Sequence, residues 1–422
     1  MTAIVGVLNK HAVAIAADSA VTMSGPAGRK VLNRANKIFT LSKYHPIGVM
    51  IYNSANLMSV PWDIIVKLYR KELKDKMFLS VSDYANDFLA FLYSKKFFSD
   101  KESHLAYLYN LVYDIVINEL GREAGRLCGG ITDSNKIEVV NKIGELLGEL
   151  KKSCDNREKC EKLSDYQLAD FKIYANDLFD GIMEELKNID PSPELRLKLE
   201  ETIHSLLVAK ENITPYSGLI FVGYGESELY PSLTPVNVSL VVDGRLRYYI
   251  DKDKEVSITE SNYSAIVPFA QTDVINTILS GVDPHLETIF VTNLKKTISK
   301  YNVVISDLIR HKDSVLADQI LNLDTKPLEE MFFSLNQEIK KKEYTTPLVR
   351  AISSLEKEDL VDVAESLISL TSLKRRMTFA EESVGGPVDV AVISKCDGFI
   401  WIKRKHYFDP TLNSHFFNNY FK

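Results

Sequence analysis

The order in which two kinds of apolar pattern follow one another constrains this chain most. Residues 2–8 and 12–17 are unbroken runs of small and β-branched side chains, separated by Asn9-Lys10-His11. Runs without polar alternation suit strands of a sheet buried on both faces. A second strand pair, residues 37–41 and 47–53, flanks Tyr44-His45-Pro46, and Ser24-Gly25-Pro26 before it reads as a loop. From Pro61 the period becomes helical, with Ile64, Ile65, Leu68 and Tyr69 expected on one face. A long helical region follows. One of its stripes is Ile173, Tyr174, Leu178, Ile182, Met183 and Leu186, stopped by Asp190-Pro191-Ser192-Pro193. Strands return at 218–222 and 236–242, the second turning at Asp243-Gly244 into 245–250. Helices resume near Thr272, and Gly385-Gly386-Pro387 opens a last strand pair, 388–393 and 399–403, around Asp397-Gly398. Strands at both ends with helices between predict an α/β (α+β) fold in which helices sandwich the sheets.

The 422 residues carry a net charge of -6, which argues against nucleic acid as a partner. The apolar runs, such as 47–51, fall far short of the roughly 20 residues that span a bilayer, so no membrane association is expected. No basic, apolar leader opens the chain, and four cysteines give no disulfide framework; both point to the cytoplasm. Cys154 and Cys160 lack the CxxC spacing of a metal or redox site. There is no P-loop, no HExxH and no GxSxG elbow, so no cofactor or metal is expected.

Chemistry enters at Thr2. A threonine after Met1 permits removal of the methionine, leaving an α-amine and a hydroxyl on one residue. An α-amine titrates at about 7.7–8.0, so near neutral pH it serves as general base to its own hydroxyl. The runs Thr2-Ala3-Ile4-Val5-Gly6-Val7 and Val13-Ala14-Ile15-Ala16-Ala17-Asp18-Ser19, followed by Thr22, resemble the opening of proteasome β-subunits and the related HslV-type peptidases. Asn36-Lys37-Ile38-Phe39 and Gly48-Val49-Met50-Ile51 continue the likeness. So do the hairpin at 236–250 and Gly385-Gly386 with Lys395 and Asp397-Gly398.

That resemblance implies an N-terminal-nucleophile (Ntn) hydrolase with a four-layer αββα sandwich. The core would comprise residues 1–104 and 214–422, with helical insertions at about 105–213 and 285–355. It implies Thr2 as nucleophile, Lys37 as its charge partner and Asp18 as the group that holds Lys37. Gly48, Met50, Tyr52 and Asn53 fall on the strand that supplies the oxyanion donor and lines the substrate. Glu381 and Ser383 stand near the family's supporting groups. The implied partners are a peptide or protein substrate and further copies in a homo-oligomeric ring, with any ATP dependence supplied by a separate ATPase. In that ring the 105–213 insertion would cap or bridge subunits.

The chain departs from the family in places. Ala20 stands where Arg is common, Tyr52-Asn53 where small residues are, and Pro268-Phe269-Ala270-Gln271-Thr272 replaces a G-S-G. These departures leave a second reading open, a non-catalytic scaffold or gating subunit.

Overall fold

The computed structural model describes residues 2–25, 28–94, 100–210, 212–213, 215–378, 384–406, 408–409 and 411–415. They form two compact units. The first takes the chain up to Ala35, Ile258–Ser394 and the segment from Ile400; the second takes Asn36–Ser257 with Lys395–Phe399.

In the first unit Ala3–Asn9 lies between Val13–Ala17 and Ser264–Ala270, antiparallel to both. Val13–Ala17 also pairs with Asp389–Ser394, and Gly398–Lys403 completes the five-stranded sheet. Strand alternation divides the side chains. Ala3, Val5, Val7, Ala14 and Ala16 pack on the helix Lys357–Met377 through Leu360, Ala364 and Ile368. Ile4, Leu8, Ile15 and Ile393 on the reverse face are buried too, which is why these strands lack polar alternation. The Asn9 carboxamide accepts from His11 and Ala12 N–H across the expected turn. Its Nδ2 donates to the Ile352 and Leu355 carbonyls at 3.0 and 2.8 Å.

Two features of this unit differ from the sequence reading. Ser24 and Gly25, expected in a loop, end the strand Val21–Gly25, which pairs with Gly28–Leu32 in a two-stranded ladder; Pro26 lies outside the described residues. Ser264–Ala270 is a strand despite Pro268, which lies opposite Val5. It is an outermost strand, where a missing N–H leaves no ladder bond unmade.

The same unit carries the helices Asp273–Ser280, Pro284–Arg310, Ser314–Leu321, Lys326–Ile339 and Thr346–Ser353. Gly281 ends the first of them at φ 73°, and an added Cβ there would lie 2.4 Å from the Tyr344 ring. Asp283 caps the second by accepting from His285 and Leu286 N–H, and Lys374 donates to both Asp273 and Asp283.

The second unit is built on a sheet ordered Arg245–Ile250, Ser232–Val242, Ser217–Gly223, Ile47–Asn53, Ile38–Thr40, with Val256–Ser257 also pairing with Ser232–Val242. Val49, Ile51, Leu219 and Phe221 face the helices Trp62–Leu73 and Val81–Ser94. The inward stripe of the first helix is Trp62, Ile65, Val66, Tyr69 and Leu73; Ile64 and Leu68, expected inside, are exposed. The Trp62 indole N–H donates to Ser217 Oγ at 2.8 Å and helps set that phase. Gly48, Met50 and Tyr52 take the opposite, equally buried face.

The helices of the first insertion, from Lys101–Tyr113 to Pro193–Val208, belong to this unit. They bury a cluster of their own, including Leu147, Phe171, Phe179 and Ile203, which meets the sheet at Leu240 and Val242. The expected stripe around residue 178 is split at Ala175 into Leu168–Tyr174 and Asn176–Glu185. Leu178, Ile182 and Leu186 point inward, while Ile173 is 81% exposed. Arg247, fully buried, ties this insertion to the sheet, donating to the Leu206, Leu207 and Ala209 carbonyls.

The ammonium of Lys395 donates to the Gly225, Glu226 and Glu228 carbonyls at 2.7, 2.9 and 3.0 Å. All four cysteines are free thiols. Among the described residues no helix is long and apolar enough to cross a membrane.

Candidate functional site

The sequence-predicted residues fall into two sets, one in each unit. In the first unit, Thr2 stands immediately before the opening strand and is only 4% exposed. Its carbonyl accepts from Gln271 N–H at 3.0 Å, which extends the pairing with Ser264–Ala270 by one residue. By alternation from Ala3, Thr2 shares the face of Ile4 and Leu8, turned away from the helix Lys357–Met377.

Asp18 leaves the end of Val13–Ala17, the strand that pairs with the opening one. Both carboxylate oxygens are engaged by main chain. Ala3 N–H donates to Oδ1 at 2.8 Å; Ala20 and Gly385 N–H donate to Oδ2 at 3.0 and 3.1 Å. Hydrogen bonds to a charged acceptor are each worth about 1.5–3 kcal/mol, so this carboxylate fixes the backbone beside Thr2. Ala20 contributes its N–H, a donor that every non-proline residue carries, so the absent arginine side chain removes nothing from this contact.

The Gly385-Gly386 pair is explained by the same corner. Ser19 N–H donates to the Gly385 carbonyl, and Ser19 Oγ donates to the Pro387 carbonyl. Gly386 has φ 75°, and a Cβ there would lie 2.8 Å from the Asn33 carbonyl oxygen and 3.3 Å from Ser19 Cβ. Only glycine combines that backbone with that closeness.

In the second unit, Lys37 precedes Ile38–Thr40 and is 4% exposed. Its carbonyl accepts from Ile51 N–H at 2.8 Å, so it stands beside the strand that carries Gly48, Met50, Tyr52 and Asn53. An ammonium so deeply buried is expensive unless it meets compensating acceptors.

Tyr52 is a packed side chain. Its ring lies across Gly218, where an added Cβ would fall 1.9 Å from it, and its hydroxyl donates to Asn237 Oδ1 at 3.2 Å. Burial, and then the neighbouring Tyr216 and Asp251, push its phenol above the ordinary value, so it remains a neutral donor at physiological pH. Asn53, exposed, adopts a left-handed backbone with φ 70°. Glu381 and Ser383 lie outside the described residues.

Four participants were missed in the sequence: Gln271 as donor to the Thr2 carbonyl, and Ala3, Ala20 and Gly385 as donors to Asp18. Each acts through its main chain, which residue type does not reveal. The sequence matches no protein-family model and no curated protein.

Proposed function

We propose that the chain is a threonine-type N-terminal-nucleophile amide hydrolase acting on peptides or proteins, with Thr2 as nucleophile. The observation that carries this reading is the Asp18 carboxylate, which binds Ala3 N–H, next to Thr2, and the Gly385 N–H of the glycine pair. That arrangement joins three motifs far apart in sequence, and it fixes the main chain of the residue that must not move. In this reading the fold is the αββα sandwich that the resemblance implies. The burial of both faces of each unit's sheet supports it, with Thr2 on such a face in the first unit and Gly48, Met50 and Tyr52 on one in the second.

The proposed reaction begins with the free α-amine of Thr2 taking the proton of its own hydroxyl. The alkoxide oxygen attacks the substrate carbonyl, and a backbone N–H of the strand Ile47–Asn53 donates to the oxyanion, an interaction worth about 3 kcal/mol. The Lys37 ammonium would stabilise the alkoxide, with Asp18 holding it. The amine returns the proton to the leaving nitrogen, and water releases the ester.

Intact mass tests the reading. The mature chain is expected to begin at Thr2 and to gain one adduct from a threonine-directed β-lactone. Thr2→Ala and Lys37→Ala are each expected to lower hydrolysis by at least about 1,000-fold, and the double variant no further, as for groups that act as a unit. Wild-type turnover in Thr2→Ala would move the chemistry elsewhere.

Tyr52 favours the second reading, a non-catalytic scaffold or gating subunit, because its ring is packed where the family carries small residues. Retained Met1 with no lactone adduct on a well-folded chain would select it.

A further inference from the structure

The helices Pro284–Arg310 and Lys326–Ile339 carry a surface that the rest of their unit leaves open. On the first, Leu286, Phe290, Tyr301, Val304 and Leu308 are exposed, up to 73% at Leu308. Asn293 and Thr297 fill the gap between them, so the stripe advances in steps of three and four residues. At 1.5 Å per residue it extends about 33 Å along one helix face. On the second, Leu328, Phe332, Leu335 and Ile339 repeat the same steps, and no residue of that helix is buried.

The two helices are braced against each other. Lys295 reaches Glu329 at 2.9 Å, and Lys340, just past the end of one helix, meets Glu287 near the start of the other. Arg310 ties to Asp318 of Ser314–Leu321 at 2.9 Å. The apolar stripes are therefore held in place before anything covers them.

We infer that this arm docks against the same arm of a second copy of the chain. The first argument is charge. Residues 284–345 contain nine acidic and nine basic side chains, while the whole chain stands at -6. A neutral arm does not repel its own copy, and it carries no net charge to draw it to an anionic lipid surface or to a strongly charged partner.

The second argument is extent. A stable complex covers about 800 Å² on each side, whereas the largest apolar patch on a monomer is typically about 300–600 Å². Two striped helices of 27 and 14 residues present nine exposed apolar side chains toward that larger figure, Leu286, Phe290, Tyr301, Val304 and Leu308 on one and Leu328, Phe332, Leu335 and Ile339 on the other. The third argument is form. Side chains at steps of three and four interdigitate with a facing helix of the same pattern, and this arm carries two. A two-fold axis lets each stripe meet its counterpart, with polar Asn293 in the seam to limit sliding. The inference does not rest on the hydrolase reading.

Light scattering and sedimentation of the full chain test it. The wild type is expected at a multiple of 47.7 kDa, dissociating on dilution. Phe290→Glu/Leu308→Glu is expected to weaken association by roughly 30-fold or more, as for loss of hot-spot anchors. Leu308→Ile should retain association. Ile137→Glu, at an exposed site on the other insertion, should leave it unchanged. Circular dichroism checks that the helices persist; if the double variant loses helix, Tyr301→Lys is measured in its place. A wild type that stays monomeric through the micromolar range overturns the inference. So does a folded variant with wild-type mass, or a monomer that floats with phosphatidylcholine vesicles and loses this in the variant.

Discussion

The two helical insertions look alike in sequence and are built differently. Residues from Lys101–Tyr113 to Pro193–Val208 bury Leu147, Phe171, Phe179 and Ile203 completely. The arm formed by Pro284–Arg310, Ser314–Leu321 and Lys326–Ile339 buries only Asn302, Ser306 and Ala317 within those helices. Both carry apolar residues at helical spacing. Periodicity tells that a stripe must be covered and does not tell by what. The stripe at Leu178, Ile182 and Leu186 is spent inside its own unit, so it gives no reason to bridge subunits. The stripe that remains is on the other insertion.

The sharpest way to break this contrast is to truncate one aromatic in each region. Phe179→Ala is expected to cost about 3–5 kcal/mol, because the cavity lies in a filled core. Phe290→Ala, at a site 58% exposed, should change the stability of the unassociated chain by less than about 0.5 kcal/mol. Urea unfolding at concentrations low enough to prevent association measures both. Equal losses would mean that the arm has a core after all.

Arg247→Met tests the tie between the first insertion and its sheet. It leaves the carbonyls of Leu206, Leu207 and Ala209 without this donor, for an expected loss of about 3 kcal/mol. Hydrogen exchange should rise at the end of Pro193–Val208 and leave the arm unchanged. Gly281→Ala acts at the seat of the arm. A left-handed backbone at a residue with a Cβ costs about 1–2 kcal/mol, and Tyr344 must also shift. Faster exchange in Pro284–Arg310, with the first insertion unaffected, is the expected result.

The smallest effect belongs to Lys374. Its hydrogen bond, with the N–H donors of Leu286 and His285, holds the Asp283 carboxyl below the usual carboxylate range. The linked stabilisation is complete above the unfolded value and disappears as pH falls through the lower, folded one. Lys374→Ala should cost well under about 1 kcal/mol, since the pair is solvated, and make the arm less sensitive to acid. Melting followed between pH 5 and the acid limit checks this.

The strands at both ends were legible because residues 2–8 and 12–17 form unbroken runs of mostly β-branched and small side chains. Asp243-Gly244 announced its hairpin, and φ of 48° and 71° there explains why those two residue types were needed. Other parts were hidden for definite reasons. Pro268 disguised an outer strand, since the proline rule holds only for inner ones. Trp62 was left out of the helical stripe, although its bond to Ser217 helps decide which side of Trp62–Leu73 turns inward.

The candidate site divides the same way. Asp18 was visible as a residue, but its three donors are main-chain groups that no side chain announces. Tyr52 was visible as an oddity, and its partner Gly218 lies on the neighbouring strand, far away in sequence.

Lys395 has a consequence of another kind. Three carbonyl dipoles converging on one positive centre make the sort of nest in which proteins commonly hold potassium or sodium. Here the cation is part of the polypeptide. Chelators cannot strip it, and changes in salt composition cannot exchange it. Its weakness is covalent instead: acetylation of that amine would delete the charge and leave three oxygens turned toward one another.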